Sequence, residues 1–318
     1  MSRNLLLAFA FGLGALPAGS ASAYVRELTS TGVPVAWSNP CVTMHVYLGA
    51  PPPVMTAADL LAASKAAAAA WSYSQVTCTD IRLNVVSEPQ ASAGVGYDKK
   101  NVVVFHQDTW CRDPPRIDDA GVSTPDCYPR SALALTSIFK NTNTGEIVDA
   151  DIEFNAVDYS WGDLLGQLAL AGSNTADFQN ALTHELGHVI GLDHNCFTTN
   201  DGPTRGTDNT GSPELDCYPS DPNSPLPDAV AQATMYPSVV LIDTVRRSLS
   251  PDDEQGVCEI YPHAHEVCPS PPDGGCNVTV GGGAPVRWPE ISFAVLALFL
   301  ATLAFRHGRD LNGPGRGL

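Results

Sequence analysis

The sequence has 318 residues, of which 44% are hydrophobic and 16% charged, so it can bury a core and is not disordered throughout. Its 17 basic residues are outnumbered by 34 acidic residues, which gives a formal net charge of −17. Such a charge repels polyphosphates and disfavours nucleic acid as a partner. Nine cysteines favour an exported chain with disulfide bonds.

Residues 1–23 have the three parts of a secretory signal peptide. Arg3 gives a basic start, residues 5–16 are apolar, and small residues at 21–23 offer a cleavage site. The apolar run is shorter than the roughly 20 residues that a membrane-spanning helix needs. We therefore predict export and a mature chain that begins at Tyr24.

The first half of the mature chain predicts short strands around one helix. Runs of β-branched and aromatic residues predict the strands, and an alanine-rich run after a Thr cap predicts the helix. The predicted strands are 33–37, 42–48, 81–86, 101–106 and 131–139, and the predicted helix is 57–71. Residues 107–130 are rich in Pro and Asp and contain two cysteines, which predicts a cross-linked loop.

The next predicted strand, 147–154, alternates between apolar and acidic residues. Asp149, Asp151 and Glu153 share the acidic face. Calcium prefers oxygen ligands, so this acidic stripe can hold Ca²⁺. The alternative is an ordinary solvated strand face, and both interpretations stay open at this stage.

The second half predicts two further helices separated by an irregular stretch. A helix is expected over 175–190, and residues 195–232 are rich in Asp, Asn, Pro, Gly and Ser. Ser250 and Asp253 form a capping box that starts the last helix. Residues 263–290 are rich in Pro and Gly and predict a linker.

The most specific pattern is the run 181–195, A-L-T-H-E-L-G-H-V-I-G-L-D-H-N. His184 and His188 are four residues apart, so their rings project from one face of a helix. Gly191 can adopt a positive φ and turn the chain sharply, which returns His194 to the same ion. Three imidazoles leave one position open on a tetrahedral zinc, as catalytic sites require.

Glu185 completes this pattern as the candidate general base. It lies about 100° around the helix axis from His184, so it can reach a water on the metal without binding the metal. The full H-E-x-x-H-x-x-G-x-x-H pattern arises by chance in such a chain on the order of once in 10⁵. We therefore favour a zinc hydrolase over the alternative of surface histidines on an amphipathic helix.

The run 184–194 resembles the zinc-binding motif of the metzincin peptidases, and its residues are most similar to those of the matrixins. Thr234-Met235-Tyr236-Pro237 resembles the Met-turn of that family, in which Met235 would lie beneath the histidines. Residues 250–261 resemble the C-terminal helix of matrixins. The resemblance covers roughly residues 30–262.

The resemblance implies an α+β, zincin-like fold: a twisted, mixed five-stranded sheet with an active-site helix and a smaller C-terminal subdomain. The metallopeptidase domain would span 24–262, with an N-terminal subdomain to about 194 and a C-terminal subdomain over 195–262. The family also implies that substrate pairs as a strand with the sheet edge, which here would be 131–136.

Four departures from the matrixin pattern change what is expected. No P-R-C-G stretch occurs, so latency by a cysteine switch is not expected. His45 and His106 lack suitable partners for the matrixin structural zinc. Ser238-Val239 stands where matrixins place a Tyr in the wall of the specificity pocket. The long insertion at 195–232 is expected to border the primed side of the cleft.

The C-terminal region contains Cys276, a short apolar segment followed by basic residues over 291–309, and a final tail at 310–318. This arrangement resembles the tripartite C-terminal sorting signal of myxobacteria (MYXO-CTERM). In that family the protein is processed at the Cys and retained on the cell surface or outer membrane. The alternative is a plain C-terminal membrane anchor, whose basic flank would stay cytoplasmic.

The eight cysteines other than Cys276 are an even number, which predicts disulfide bonds in an exported chain. Closing short loops costs little entropy, so pairs that are close in sequence are favoured. The predicted pairs are Cys111–Cys127, Cys196–Cys217 and Cys258–Cys268, which leaves Cys41–Cys78.

The sequence thus predicts an exported, monomeric zinc endopeptidase with Glu185 as general base and a protein or peptide as substrate. Contact with a membrane is expected only through the C-terminal segment. The alternative is a non-catalytic surface or adhesion protein on a metzincin scaffold. The intact Glu185 argues against it, because a binding module gains nothing from a base beside an open zinc.

Overall fold

A five-stranded mixed sheet with two long helices on one face organises the structure, a computed structural model. It describes residues 24–49, 51–89, 95–112, 116–117, 123–124, 126–167, 172, 174–199, 205–238, 241–264 and 268. The strands are β1 (Cys41–Tyr47), β2 (Arg82–Glu88), β3 (Val102–His106), β4 (Arg116–Ile117), β5 (Ser123–Thr124), β6 (Ala134–Lys140), β7 (Ile147–Asn155), β8 (Ser160–Gly162) and β9 (Thr175–Asp177). The helices are α1 (Ala57–Trp71), α2 (Leu164–Gln167), α3 (Phe178–Val189), α4 (Asp228–Ala231) and α5 (Pro251–Ile260).

The order of the strands in the main sheet is β2-β1-β3-β7-β6. The pairs β1–β2, β1–β3 and β3–β7 are parallel, whereas β6 runs antiparallel to β7. The predicted five-stranded mixed sheet is therefore confirmed. β6 lies at one edge, and its first three residues, 134–136, are the second half of the segment 131–136 that the sequence predicts as the substrate-binding edge.

Helix α1 packs against α3 on one face of the sheet. It begins at a capping box in which Thr56 accepts from the amide of Asp59 and the Asp59 carboxylate accepts from the amide of Thr56. Its last residue, Trp71, is fully buried and donates from Nε1 to the carbonyl of Thr183 at 2.7 Å. This bond fixes the position of α3 relative to α1.

The acidic stripe on β7 is buried rather than solvated, so the solvated-face interpretation is wrong. Asp149, Asp151 and Glu153 are all 0% exposed, and the segment 95–102 and the side chains of His106 and Tyr128 lie against them. Burial raises the pKa of Asp151 to about 7. The donors to the three carboxylates are the amides of Asp98, Lys99 and Ala150 for Asp149, those of Gly96 and Val102 for Asp151, and the Tyr128 hydroxyl and His106 ring for Glu153.

Hydrogen bonds to the carboxylates of Asp149 and Asp151 therefore attach the segment 95–102 to β7. Among the described residues, the one group of three or more potential metal ligands is made of histidines, and the stripe does not belong to it. The calcium interpretation of the stripe thus receives no support from the described residues.

Two predicted elements differ in the structure. Residues 33–37 form no strand of the sheet and make only isolated bridges, from Pro34 to Leu28 and from Ala36 to Glu146. The helix predicted over 175–190 begins at Phe178, since Thr175–Asp177 pairs with β8 as a short strand.

Four disulfide bonds link the eight described cysteines, as an oxidising extracellular compartment permits. The predicted pairs Cys111–Cys127 and Cys196–Cys217 are confirmed. The other two predicted pairs are wrong: the observed bonds are Cys41–Cys268 and Cys78–Cys258.

Tertiary packing explains the long-range pairing. The chain after α5 returns to the segment before β2: Pro262 bridges to Thr79, and the amide of His263 donates to the carbonyl of Cys78 at 2.9 Å. Cys258 is thereby placed beside Cys78, and proximity in sequence does not decide the partner.

The predicted signal peptide at 1–23, the sorting residue Cys276 and the segments 291–309 and 310–318 lie outside the described residues, and the domain boundaries stay predictions. The described residues fall in a unit that ends at Pro271. Within the described ranges, no helix combines the length and the apolarity that crossing a bilayer requires.

Counting free thiols in the native protein tests the disulfide pattern. Replacing Cys78 and Cys258 together by Ser should add no free thiol, whereas replacing Cys41 and Cys78 together should add two. The opposite result would restore the pairing that proximity predicts. Each lost bond should also lower the free energy of unfolding by about 2–4 kcal/mol, measured by denaturant titration.

Candidate metal centre

Three histidines converge at the end of α3, as the sequence predicts. Their ligand atoms lie within 4.8 Å of one another. The ring centroids are 4.9 Å apart for His184–His188 and His188–His194, and 5.4 Å apart for His184–His194. The helical spacing presents the first two rings together, and the turn after the helix supplies the third.

The turn depends on Gly191. Its φ is +94°, which L side chains rarely adopt. A Cβ at this position would lie 2.5 Å from the carbonyl oxygen of Val35, and the Gly191 carbonyl accepts from the amide of Glu27 at 3.0 Å. The N-terminal segment therefore packs directly on the turn and holds the path that leads to His194.

Backbone carbonyls fix the orientation of two histidines. Nδ1 of His184 lies 2.6 Å from the carbonyl oxygen of Thr234, and Nδ1 of His188 lies 2.9 Å from that of Leu192. Because a carbonyl only accepts, each Nδ1 must be the protonated donor, and Nε2 keeps its lone pair for a metal. The motif gives no indication of these carbonyls, which sequence reasoning missed.

The electrostatics of the site suit a metal. Burial holds the pKa of His184 well below its ordinary value, and the neighbouring His188 and His194 act in the same direction. The ring is thus neutral, as metal ligation requires. A set of three imidazoles fits Zn²⁺ with an open fourth position.

Met235 lies against α3, the helix that carries His184 and His188. The side chain is 2% exposed. A Cβ added to Gly187, between the two helical histidines, would lie 2.2 Å from Met235 Sδ and 3.0 Å from Trp71 Cζ2. The thioether therefore packs on the helix backbone itself, and only a glycine leaves room for it.

Asp253 on α5 holds the Met-turn. Its carboxylate accepts from the amides of Thr234 at 2.8 Å and Met235 at 3.2 Å, and also from the amide of Ser250 at 2.9 Å. The sequence identifies Asp253 only as part of a helix cap. In the structure the same carboxylate joins the last helix to the turn that orients His184.

Glu185 lies beside the histidines and is 7% exposed. The hydroxyl of Thr136 on β6 donates to Glu185 Oε2 at 2.6 Å. Thr136 lies within the predicted substrate edge, but nothing in the sequence pattern connects it to Glu185. The contact is visible only once the edge strand and the helix are packed together.

His45 and His106 do not belong to the group of three histidines. His45 Nδ1 is 2.8 Å from Glu88 Oε1, and His106 Nε2 is 2.8 Å from Glu153 Oε1. Each ring thus has a carboxylate partner of its own.

Comparison with known proteins adds little to this geometry. No family model and no curated protein matches the chain. Two solved structures of myroilysin are similar to this chain, each at 16% identity. For the first, the TM-score is 0.33 and the match covers 76% of this chain and 91% of the myroilysin chain. For the second, the TM-score is 0.32 and the match covers 78% of this chain and 97% of the myroilysin chain. Similarity this low carries no argument about activity, so the function rests on the site itself.

Replacing Gly187 by Ala tests the Met-turn packing. Overpacking against Met235 and Trp71 costs about 1–3 kcal/mol, whereas Ala in a helix gains about 1 kcal/mol. We expect a net loss in the free energy of unfolding, measured by denaturant titration. Gly162→Ala is the control, because a Cβ there meets only an ordinary contact at 3.7 Å. A stabilised Gly187→Ala protein would contradict the packing.

Proposed function

We propose that this protein is a zinc-dependent endopeptidase with a metzincin architecture close to that of the matrixins. The observation that carries the proposal is the group of three imidazoles with ligand atoms within 4.8 Å, next to the carboxylate of Glu185 on the same helix. Structural zinc sites are closed by four protein ligands, whereas three leave a position for water. A base beside such an open position has a chemical use.

His184, His188 and His194 would hold the zinc. When bound, zinc lowers the pKa of a water to about 7 and polarises the scissile carbonyl. Glu185 takes the proton from the attacking water as general base and then passes it to the nitrogen of the leaving amine. Met235 has a structural role, because it packs on the helix backbone and offers no proton.

The substrate is proposed to be a protein or peptide bound in extended form along β6. This strand is at an edge of the sheet, so main-chain groups on its outer side are available to pair with another strand. Its Thr136 contacts Glu185, so a peptide that pairs with β6 passes next to the base. Main-chain pairing supplies affinity, and side-chain pockets supply selectivity.

The insertion at 195–232 is proposed to border the primed side of the cleft. Its support is a contact with the Met-turn: the hydroxyl of Tyr236 donates to the carbonyl of Cys217 at 3.3 Å. The Cys196–Cys217 bond ties this part of the insertion to the residues that follow His194.

The proposal places the enzyme outside the cell as a monomer, exported through residues 1–23. Four disulfide bonds support an oxidising compartment. Retention on the cell surface would use Cys276 and the segment 291–309, which would also be the sole contact with a membrane. The net charge of −17 supports the exclusion of nucleic acid.

Glu185→Gln tests the proposed mechanism. The variant should bind zinc in the same ratio as the wild type, since the three imidazoles are intact. Its turnover of a quenched peptide library should fall by about 10²–10⁴-fold, the usual contribution of a general base. Chelation of the metal should abolish cleavage by the wild type, and added zinc should restore it.

Glu254→Gln is the matched control, because Glu254 is exposed on α5 and should leave turnover unchanged. Undiminished cleavage by Glu185→Gln would refute the assigned base. No cleavage by wild-type protein that holds stoichiometric zinc would favour the non-catalytic surface or adhesion protein instead.

A further inference from the structure

Thr136 contacts the base in a specific way. Its hydroxyl oxygen lies 2.6 Å from Glu185 Oε2 and 3.3 Å from the Glu185 backbone oxygen. Both of these oxygens act as acceptors toward it, so the hydroxyl is the donor and its single proton goes to the nearer carboxylate oxygen. Among the described hydrogen bonds, none involves Oε1. One oxygen of the base is therefore held, and the other is left for the proton that it must take.

The backbone of the same residue faces the free edge of the sheet. The carbonyl of Leu133 accepts from the amide of Asn155 at 2.9 Å, so the main-chain groups of Leu133 point toward β7. Main-chain direction alternates along an antiparallel strand. Thr136 is three residues further on, so its amide and carbonyl point away from β7, toward the side of β6 on which the sheet has no further described strand.

We propose that Thr136 is a positioning residue that joins substrate pairing to the base, an inference that rests on the proposed function. An extended peptide pairs with the outward amide and carbonyl of Thr136. The hydroxyl of the same residue fixes the carboxylate of Glu185 on the adjacent helix. Thr136 thus positions both the scissile bond and Glu185 Oε1, so one residue aligns the peptide with the base.

The chemistry at this position requires a hydroxyl. Valine has nearly the same shape but no donor, so it would leave a carboxylate oxygen of a buried Glu without its partner and free to rotate. Serine keeps the donor and loses only the methyl group. The pair of variants therefore separates the hydrogen bond from the packing of the strand.

The test measures kcat and KM for a quenched peptide with Thr136→Val and Thr136→Ser. We expect kcat to fall roughly tenfold to a hundredfold in the Val variant, as loss of a hydrogen bond to a charged group implies. KM should change by less than about twofold, because the backbone edge is intact. The Ser variant should recover most of kcat.

Two further measurements separate positioning from a general structural role. Crystal structures of the zinc-free variants should show the Glu185 carboxylate displaced in Thr136→Val and in its original place in Thr136→Ser. When Glu185→Gln is already present, Thr136→Val should cause little further loss, since both act through one group. Ser137→Ala is the control: its side chain lies on the opposite face of β6.

The possible outcomes are distinct. Full kcat in Thr136→Val, or an equal loss in the Val and Ser variants, would overturn the role of Thr136 while the wild type still cleaves. A rise in KM with unchanged kcat would also overturn it, because Thr136 would then act in binding alone. Absence of chelator-sensitive cleavage by the wild type would instead remove the proposed function itself.

Discussion

One buried carboxylate connects the last helix to the group of three histidines. Asp253 is 1% exposed and accepts the main-chain amides of both Thr234 and Met235. Thr234 in turn accepts from His184 through its carbonyl, and Met235 packs on Gly187 of the same helix. A single side chain therefore sets both the orientation of a candidate ligand and the position of the Met235 side chain that packs on α3. Charge-assisted hydrogen bonds suit this task, because they are short and directional.

A buried guanidinium performs the same task for the irregular chain around the turn. Arg246 donates to the carbonyls of Ala233 at 3.0 Å, Ala231 at 3.0 Å and Ser238 at 2.7 Å, and it stacks over the ring of Tyr236. Burial lowers the pKa of Arg246, but these carbonyls compensate part of the lost hydration. A segment that has no sheet ladder to bind its carbonyls is thus held by one side chain.

The parts of this structure that the sequence predicts are those that local chemistry decides. The capping box at Thr56 and the alanine-rich run define α1, with the observed bounds Ala57–Trp71. The spacing of His184 and His188 follows from the helical repeat. The turn at Gly191 requires a positive φ, and the structure has one. In each case the residues that determine the local structure lie within a few positions of it, so the structure can be predicted from the sequence.

The parts that the sequence does not predict depend on residues far apart in the chain. Cys78 pairs with Cys258 because the segment after α5 returns to it, and no local pattern records this return. Asp151 resembles a solvated residue in an alternating strand until a separate loop covers it. Nothing in the sequence distinguishes the Thr136 hydroxyl from those of other strand residues; its contact with Glu185, at 2.6 Å, forms because α3 packs against β6. The three candidate metal ligands can therefore be predicted from a motif, whereas the carbonyls that orient two of them, and the hydroxyl that contacts Glu185, are supplied by the packing of distant elements.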